Sequence, residues 1–397
     1  TPAAQKDLND WLKAGMTKND FNFALESAVP VSPPAPAPVT SPEAREEIAA
    51  GAEDDDRFII LPSGEVSLTD CAGKLFPLIS ESKELFTRNG IVCELERHSD
   101  GVVLSPVTPH AFRSRMERHG RLLAWRAGSG GQPVLKPTIV SVDTAAALLA
   151  TKEAAQLLPD VKCLVNCPVL IGEDEHTRIV AQGYEAVTGI YVTGGTVLHP
   201  LGLSEAVAGL KEPMSEFDFV TPGDRSRALA SLITPAMKFG GYLPGHVPLN
   251  VAEANDSQAG KGYMDKLRAA IYNAVPTIIS QKEGGVGSDD EKFDQALLWA
   301  RPFISFDNRR GRFDSTHLEA FLTAPGLFSA RVPYKAAVNV DPRYFVLSLT
   351  SNGVEATRDL ANRSSIVRIR RRVGYSFKQY PEGDLYDHVR ANQGFYL

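Results

Sequence analysis

The segment from residue 224 to residue 371 alternates between helix-like and strand-like stretches, and this alternation restricts the fold more than any other feature of the sequence. Short apolar runs rich in Val, Ile, Leu and Phe alternate with stretches of helical periodicity. We expect strands at 247–254, 276–280, 302–307, 344–352 and 365–371, helices at 224–239, 261–274, 291–300, 314–323 and 355–361, and a hairpin around 328–340. This order predicts an α/β fold with a central, largely parallel sheet that helices cover on both faces.

Proline content and charge divide the remainder of the chain. Residues 29–42 are rich in proline and are followed by an acidic stretch that ends at Asp56, a composition typical of a semi-rigid linker. Because such linkers separate independently folding units, the residues before this one are expected to be the tail of an upstream domain. The predicted parts are 1–28 (tail), 29–56 (linker), 57–200 (mixed α/β accessory domain), 201–373 (the alternating α/β domain) and 374–397 (C-terminal extension, expected to be truncated).

The accessory region 57–200 contains short strand-like runs, and its topology does not follow from the sequence. We expect helices at 71–88, 109–119 and 138–158 within it. The Gly- and Pro-containing stretch 194–213 marks the expected boundary with the next domain.

Composition excludes several classes of protein. The chain has 397 residues, of which 43% are hydrophobic and 23% charged, as in a soluble globular protein. Since no apolar run approaches the roughly 20 residues that cross a bilayer, we expect a cytoplasmic protein without a membrane segment. The cysteines lack the spacing of zinc ligands and are interpreted as buried reduced thiols. They are Cys71, Cys93, Cys163 and Cys167.

A Gly-Lys loop between a predicted strand and a predicted helix is the strongest chemical signal. Backbone N–H groups of such a loop and the following helix N-terminus bind phosphate, and Lys261 would reach the β- and γ-phosphates. Asn255 replaces the usual first glycine, and Gly262 replaces the Ser or Thr that normally ligates magnesium. An ordinary strand-helix turn with a solvated lysine is the alternative. The predicted nucleotide-binding residues are Asn255, Asp256, Ser257, Gln258, Ala259, Gly260, Lys261, Gly262 and Tyr263.

A carboxylate follows a later apolar strand. Asp307 ends the run PFISFD, 46 residues after Lys261, where it could orient hydrated Mg²⁺ beside the phosphate loop. The next residue, Asn308, occupies the place where a glutamate often polarises the attacking water. A turn or helix N-cap aspartate is the alternative interpretation of Asp307.

Two further elements follow in order. The strand 344–352 ends in Thr350, Ser351 and Asn352, and Asn352 is the candidate for the polar group between the γ-phosphate and the attacking water. Arg363 follows a short predicted helix, where an arginine finger could contact a neighbouring subunit's nucleotide. A surface salt bridge is the alternative for this arginine.

From about Arg57 onward the chain resembles a family of prophage- and plasmid-borne primase-helicases and AAA+ ATPases. The resembling segments include DRSRALASLITPAM, the Gly260-Lys261 loop, FISFDNRRGRFDSTHLEAFLTAP and LTSNGVEATRDLANRSSIVRIRR. This resemblance implies an AAA+ P-loop ATPase domain with ATP and Mg²⁺ as cofactors, and Gly262 departs from the family's Lys-Ser or Lys-Thr. The segment KDLNDWLKAGMTKNDF resembles the tail of a Toprim-type primase, which implies a primase domain upstream.

Positive charge is concentrated in the last third of the chain. Residues 301–372 contain 13 Lys or Arg and 6 Asp or Glu, although the whole chain has a formal charge of −6. The predicted domain also resembles hexameric superfamily 3 helicases, in which a hairpin before the sensor strand grips single-stranded DNA. Arg331, Tyr334 and Lys335 are the candidates in this chain, Tyr334 for base stacking and Lys335 for phosphate. A solvated surface is the alternative for each basic residue.

Two hypotheses follow from these residues. The first is an ATP-driven helicase or translocase that acts on single-stranded DNA as a homo-oligomeric ring. The second is a catalytically weakened nucleotide- and DNA-binding scaffold that loads a replication partner, since the magnesium hydroxyl and the glutamate are both missing. A metabolic P-loop kinase fits poorly, because nothing resembles a small-molecule lid.

Overall fold

The computed structural model describes most of the chain from Phe58 onward. The described residues are 58–64, 66–98, 101–128, 131–173, 176–194, 197–254, 256, 259–281, 287–331, 338–351 and 355–397, without the side chains of 173, 312, 355 and 356. Arg57–Leu397 forms one compact unit. The predicted tail 1–28 and linker 29–56 lie outside the described residues.

The first part of this unit is mixed α/β, as the sequence predicts for 57–200. Its strands form three-stranded sheets ordered β1-β5-β6, β2-β3-β4 and β10-β11-β7 and the hairpin β8-β9. The elements are β1 (Phe58–Ile60), α1 (Leu68–Ser82), β2 (Leu85–Arg88), β3 (Ile91–His98), β4 (Gly101–Pro106), α2 (Pro109–His119), β5 (Arg121–Ala127), β6 (Pro133–Pro137), α3 (Val142–Leu149), α4 (Lys152–Leu157), β7 (Cys163–Val165), β8 (Val169–Glu173), β9 (His176–Val180), β10 (Gly183–Glu185) and β11 (Ile190–Val192).

Two predicted helices of this region were wrong in extent. The segment 138–158 contains two helices, because the Thr151 side chain accepts a hydrogen bond from the Ala154 N–H and begins a new helix. The segment 71–88 is helical only to Ser82. The following Lys83 adopts a left-handed conformation (φ 54°) that ends the helix, and strand β2 comes next.

The second part is built around a six-stranded sheet, as its alternating sequence predicts. Its elements are α5 (Leu203–Met214), β12 (Asp218–Phe219), α6 (Pro222–Phe239), β13 (Leu249–Glu253), α7 (Lys261–Ile271), β14 (Thr277–Ser280), α8 (Asp289–Leu298), β15 (Phe303–Arg309), β16 (Arg312–Phe313), α9 (Thr316–Thr323), β17 (Phe328–Ala330), β18 (Val338–Val340), a 3₁₀ turn (Pro342–Tyr344), β19 (Val346–Ser351), β20 (Glu355–Ala356), α10 (Arg358–Asn362), β21 (Ser364–Arg370), α11 (Leu385–Ala391) and α12 (Gln393–Tyr396).

The central sheet has the order β12-β21-β13-β19-β15-β14. Its five longer strands pair in parallel, and only the two-residue edge strand β12 is antiparallel. The α/β class and the largely parallel central sheet are therefore confirmed.

Alternate residues of the strands pack on opposite faces of the sheet, as the two-residue period of a strand requires. On one face, Ala252 and Phe303 pack with helices α6, α7 and α11. On the other, Leu249, Ile304 and Leu347 pack with helices α8, α9 and α10. Both faces are apolar because both are covered.

The two predicted domains share contacts within the compact unit. The buried guanidinium of Arg88, on β2, donates to the carbonyl oxygens of Leu297 and Leu298 at the end of helix α8. One hydrophobic cluster contains Cys163 and Val192 together with Phe303 and extends to Tyr396 in the predicted C-terminal extension. This cluster therefore includes residues from both sides of the expected boundaries at 200/201 and 373/374. All four cysteines are buried and free.

The described helices lack the length and apolar character needed to span a bilayer.

Candidate functional site

The connections of the sheet place a crevice between β13 and β19. From β13 the chain crosses to the β14 edge, whereas from β19 it crosses back over β13 to β21. Loops that leave neighbouring parallel strands in opposite directions separate at the carboxyl ends of those strands, and α/β proteins bind ligands there. Glu253 and Ser351, the last residues of the two strands, pair in register at this point.

Lys261 follows the loop after β13 and is the first residue of helix α7. The side chain is buried (9% exposed), and its Nζ donates to the carbonyl oxygen of Asp256 over 3.1 Å. Burial lowers the pKa of this ammonium, and the charge of Asp256 opposes the change. A lysine in a helix's first turn is unfavourable beside the positive end of the helix dipole, and α7 has no acidic residue there. The arrangement suits a bound anion.

Gly260 has a conformational reason to be glycine. It is the N-cap of α7 with φ +94°, and a Cβ atom would lie 3.1 Å from the Phe377 ring and 3.2 Å from the Phe217 ring. No side chain caps this helix, so its first N–H groups have no capping partner from the N-cap residue.

The next two loop residues of interest face different surroundings. A Cβ atom at Gly262 would have no neighbour within 4 Å, so larger residues fit there. The Tyr263 hydroxyl accepts a hydrogen bond from the Tyr386 N–H over 2.9 Å, and burial raises its pKa to about 12. The Tyr263 ring also packs on Phe377, 5.0 Å away. Tyr263 thus contacts the C-terminal segment.

Asp307 and Asn308 form a bulge at the end of β15. Phe306 pairs with Leu349 and Arg309 with Ser351, so two residues of β15 lie opposite Thr350 alone. Both bulged residues are exposed, and Asn308 has a φ of +51°.

Thr350 holds this bulge through its hydroxyl group. The Thr350 Oγ1 donates to Asp307 Oδ1 over 2.7 Å and accepts from the Asn308 N–H over 2.8 Å. Thr350 itself is 2% exposed, on β19, the strand between β13, which precedes the Lys261 loop, and β15, which carries Asp307. Sequence reasoning assigned Thr350 to the strand end but missed its bond to Asp307.

The carboxylate and the lysine share one edge of one sheet. Helix α7, which begins at Lys261, contacts both β19 and β15. The carboxyl ends of β13, β19 and β15 all lie at this edge because the strands are parallel. Lys261, Thr350 and Asp307 therefore lie at the same edge of the sheet.

Arg363 lies at the opposite edge. Its carbonyl oxygen accepts from the Leu249 N–H at the start of β13, four residues before that strand ends at Glu253. Four residues of strand, about 13 Å at ~3.3 Å per residue, separate the two edges. Arg363 does not join Lys261 and Asp307 within one chain.

The hairpin predicted around 328–340 is confirmed, with β17 and β18 pairing antiparallel from Phe328↔Val340 to Ala330↔Val338. Arg331 is exposed where the chain leaves β17, and its backbone N–H donates to Asp294 Oδ2 over 3.0 Å. The hairpin precedes β19 and therefore lies toward the amino ends of the parallel strands.

Several basic residues have partners within the chain. Arg309 is 1% exposed and forms an ion pair with Asp289, so it does not belong to a basic surface. Arg368 donates to Glu253 over 2.8 Å, and Arg372 lies over the Tyr375 ring.

Six predicted site residues lie outside the described residues. They are Asn255, Ser257 and Gln258 of the loop, Asn352 of the strand end, and Tyr334 and Lys335 of the hairpin tip. Of the remaining loop residues, Asp256 is exposed and Ala259 is buried.

The described residues do not bring three or more His, Cys, Asp or Glu side chains together in a group that could hold a metal ion. Magnesium bound with a nucleotide needs fewer, since one or two carboxylates, phosphate oxygens and water complete its octahedral shell. The exposed carboxylate of Asp307 fits that requirement.

The chain matches no protein-family model and no curated protein. Solved structures to which it is similar include "The A form apo structure of NrS-1 C terminal region-CTR" and a second of the same region, CTR(305-718), each at 10% identity. The TM-scores are 0.43 and 0.41, and the matches cover 81% and 80% of this chain. They cover 66% and 65% of the matched chains, just under two thirds of their length. The similarity assigns neither an activity nor a partner to this chain.

Proposed function

We propose that this chain is an ATPase of the AAA+ kind that moves along single-stranded DNA as a ring of identical subunits. The observation that carries the proposal is the position of Lys261 and Asp307 at one edge of one parallel sheet, with Thr350 on the strand between them. We also propose that the chain acts in the replication of a mobile element, together with an upstream primase domain.

The loop before α7 has the properties of a triphosphate site. Lys261 supplies an ammonium in the first turn of α7, and no side chain caps the N-terminus of this helix; both features favour anions. Lys261 would neutralise the β- and γ-phosphate oxygens, while the backbone N–H groups of residues 259–262 would bind the phosphates.

Asp307 would position hydrated Mg²⁺, which supplies charge neutralisation on the transferred phosphate. The Thr350 hydroxyl fixes one carboxylate oxygen of Asp307. Asn308 follows on the bulge and would orient the attacking water by hydrogen bonding, since an amide accepts no proton at neutral pH. Asn352 would contact the γ-phosphate.

The ring and the DNA contact rest on two further positions. Arg363, at the far edge from its own crevice, could act only on the nucleotide of a neighbouring subunit. The hairpin bearing Arg331, Tyr334 and Lys335 would bind the phosphates and bases of one strand. ATP would thus lie between subunits, and its hydrolysis would move the hairpins.

The test is ATP hydrolysis with and without single-stranded DNA, measured together with molar mass by light scattering. Lys261→Ala and Asp307→Asn should each lower turnover on the order of a hundredfold while the circular dichroism stays unchanged. Lys266→Ala is the matched control, because Lys266 is exposed on the same helix. DNA-stimulated hydrolysis that survives in Lys261→Ala would refute the proposal.

A second candidate is a nucleotide- and DNA-binding scaffold that loads a replication partner without appreciable hydrolysis. Gly262 and Asn308 favour it, because the first supplies no magnesium ligand and the second no general base. Binding of ATP and DNA without phosphate release would support the scaffold over the motor.

A further inference from the structure

Helix α8 (Asp289–Leu298) is attached to the candidate nucleotide edge at its first residue. Asp289 forms an ion pair with Nη1 of Arg309, the residue that ends the Asp307–Asn308 bulge. The Arg309 side chain is fully buried, its Nη2 donates to the Ile279 carbonyl oxygen over 3.2 Å, and its guanidinium lies 5.3 Å from the Phe306 ring. Because the guanidinium is buried and Asp289 is partly exposed, loss of the carboxylate would leave a buried positive charge without its ion-pair partner, so the pair is costly to break.

The same helix is attached to the hairpin through Asp294. This carboxylate is 2% exposed, and both of its oxygens have partners. Oδ1 is 2.8 Å from His317 Nε2, and Oδ2 accepts from the Arg331 N–H over 3.0 Å. The His317 ring also packs edge-on against Phe328 of the hairpin, 5.0 Å away. Asp294 therefore ties α8 to the point where the chain leaves strand β17.

A third attachment holds the other end of the helix. Arg88 donates from Nε to the Leu298 carbonyl oxygen over 2.9 Å and from Nη2 to the Leu297 carbonyl oxygen over 2.7 Å. These bonds satisfy carbonyl groups that a helix C-terminus leaves without partners. Asp289 and Asp294 lie five residues apart, about 7.5 Å along a helix of ~1.5 Å rise per residue. Because Asp289 and Asp294 belong to one continuous helix, a rigid displacement of this helix moves both residues.

We propose that α8 connects the sheet edge that carries Lys261 and Asp307 to the hairpin proposed to bind DNA. In this proposal Asp294 positions the hairpin, and the Arg309–Asp289 pair links the helix to Asp307. This inference rests on the proposed function and deepens it. When a nucleotide with its magnesium binds, Asp307 moves toward the metal and the bulge moves with it. The buried Arg309 moves with the bulge and displaces α8 through Asp289. Asp294, on the same helix, then displaces the backbone at Arg331. The nucleotide thereby changes the affinity of the hairpin for DNA.

The measured quantity is the coupling factor, the ratio of the dissociation constants for single-stranded DNA without and with nucleotide. The probes are a fluorescein-labelled oligothymidylate and the β,γ-imido analogue of ATP, with the whole chain. Coupling between sites is typically 5- to 150-fold, so the wild type should show a factor of at least about fivefold. Asp294→Asn should reduce the factor to nearly one, because an amide cannot replace the buried charge. Asp289→Asn should also lower the coupling factor toward one.

Asp290→Asn is the matched control, because this exposed carboxylate of the same helix accepts from the Ser315 hydroxyl over 3.2 Å and, among the described residues, bonds neither the hairpin nor Arg309. Its coupling factor should stay within about twofold of the wild type, within the 0.5 kcal/mol expected of a surface substitution. A purely structural role of Asp294 predicts a different result, in which DNA affinity falls equally with and without nucleotide and the factor is unchanged. That result would overturn the inference and leave the proposed function intact. A wild type that binds neither nucleotide nor DNA would overturn both.

Discussion

The hydroxyl of Thr350 donates a hydrogen bond to Oδ1 of Asp307 over 2.7 Å and accepts one from the Asn308 N–H over 2.8 Å. One buried side chain on the middle strand therefore fixes both the carboxylate and the amide residue of the neighbouring strand. Because Asn308 has a φ of +51°, the bulge is a conformation that the neighbouring groups must hold in place.

Thr350→Val should lower ATP hydrolysis by at least about tenfold. Valine keeps the volume and removes the hydroxyl, so Asp307 loses its donor and the Asn308 N–H its acceptor, at a cost of about 1–3 kcal/mol. Thr350→Ser keeps the hydroxyl and should stay within about threefold of the wild type, a difference below 1 kcal/mol. Steady-state phosphate release measures both. Equal loss in the serine and valine variants would show that packing, and not the hydrogen bonds, matters at this position.

Gly262→Thr should raise ATP turnover. The position lies in the first turn of α7, where a Cβ atom meets no neighbour within 4 Å, and the new hydroxyl would lie where a magnesium ligand is expected. Gly262→Ala is the control, because alanine also removes the conformational freedom of glycine but supplies no oxygen. Turnover should rise at least about tenfold in the threonine variant alone, equivalent to about 1.4 kcal/mol of barrier. If turnover rises as much in the alanine variant, the gain comes from greater stability of the helix and not from a new magnesium ligand.

The parallel sheet and the position of Lys261 at its edge could be predicted from the sequence, because each depends on local pattern. The alternation of apolar strands and helices indicated the parallel sheet, and the loop ending in Lys261 fell where a strand meets a helix. The hairpin at 328–340 was equally local, since both of its strands are short and adjacent in sequence.

The burial of Arg309 could not be predicted in this way. In a regular strand, Asp307 and Arg309 would point to the same face, and both would be exposed or both buried. The bulge adds one residue, so Arg309 turns inward to Asp289 while Asp307 remains exposed. Long-range partners such as Arg88 with Leu297 are likewise absent from any local pattern.

Arg88→Met should lower the free energy of unfolding by about 3 kcal/mol or more, because it removes buried charge-assisted hydrogen bonds and leaves the carbonyl acceptors unpaired. The guanidinium donates four hydrogen bonds, to the carbonyl oxygens of Val161, Lys162, Leu297 and Leu298. Urea denaturation followed by circular dichroism measures the change. Arg97→Met is the control, since Arg97 is exposed on the neighbouring strand, and it should change stability by no more than about 0.5 kcal/mol. A similar stability for both variants would contradict the assigned role of Arg88.

His317 should make stability depend on pH. The hydrogen bond to Asp294 raises the pKa of the imidazole, and the negative charges of Asp294 and Asp290 raise it further. Burial and the positive charge of Arg331 act in the opposite direction and lower this pKa. Because the folded state binds the proton more tightly than the unfolded state, the contribution is fully present below the ordinary pKa of about 6.5. It is lost as the pH rises through the higher folded value.

The measurement is the difference in free energy of unfolding between the wild type and His317→Gln, from about pH 5 to about pH 9. Glutamine can still donate a hydrogen bond to Asp294, so the difference in free energy of unfolding isolates the charge of His317. This difference should shrink steadily as the pH rises. In the Asp294→Asn background the decrease of this difference with rising pH should be lost, because the largest cause of the raised pKa is gone. A difference that stays constant over the whole range in the wild-type background would show that folding leaves the pKa of His317 unchanged, and would contradict a charged pair between His317 and Asp294.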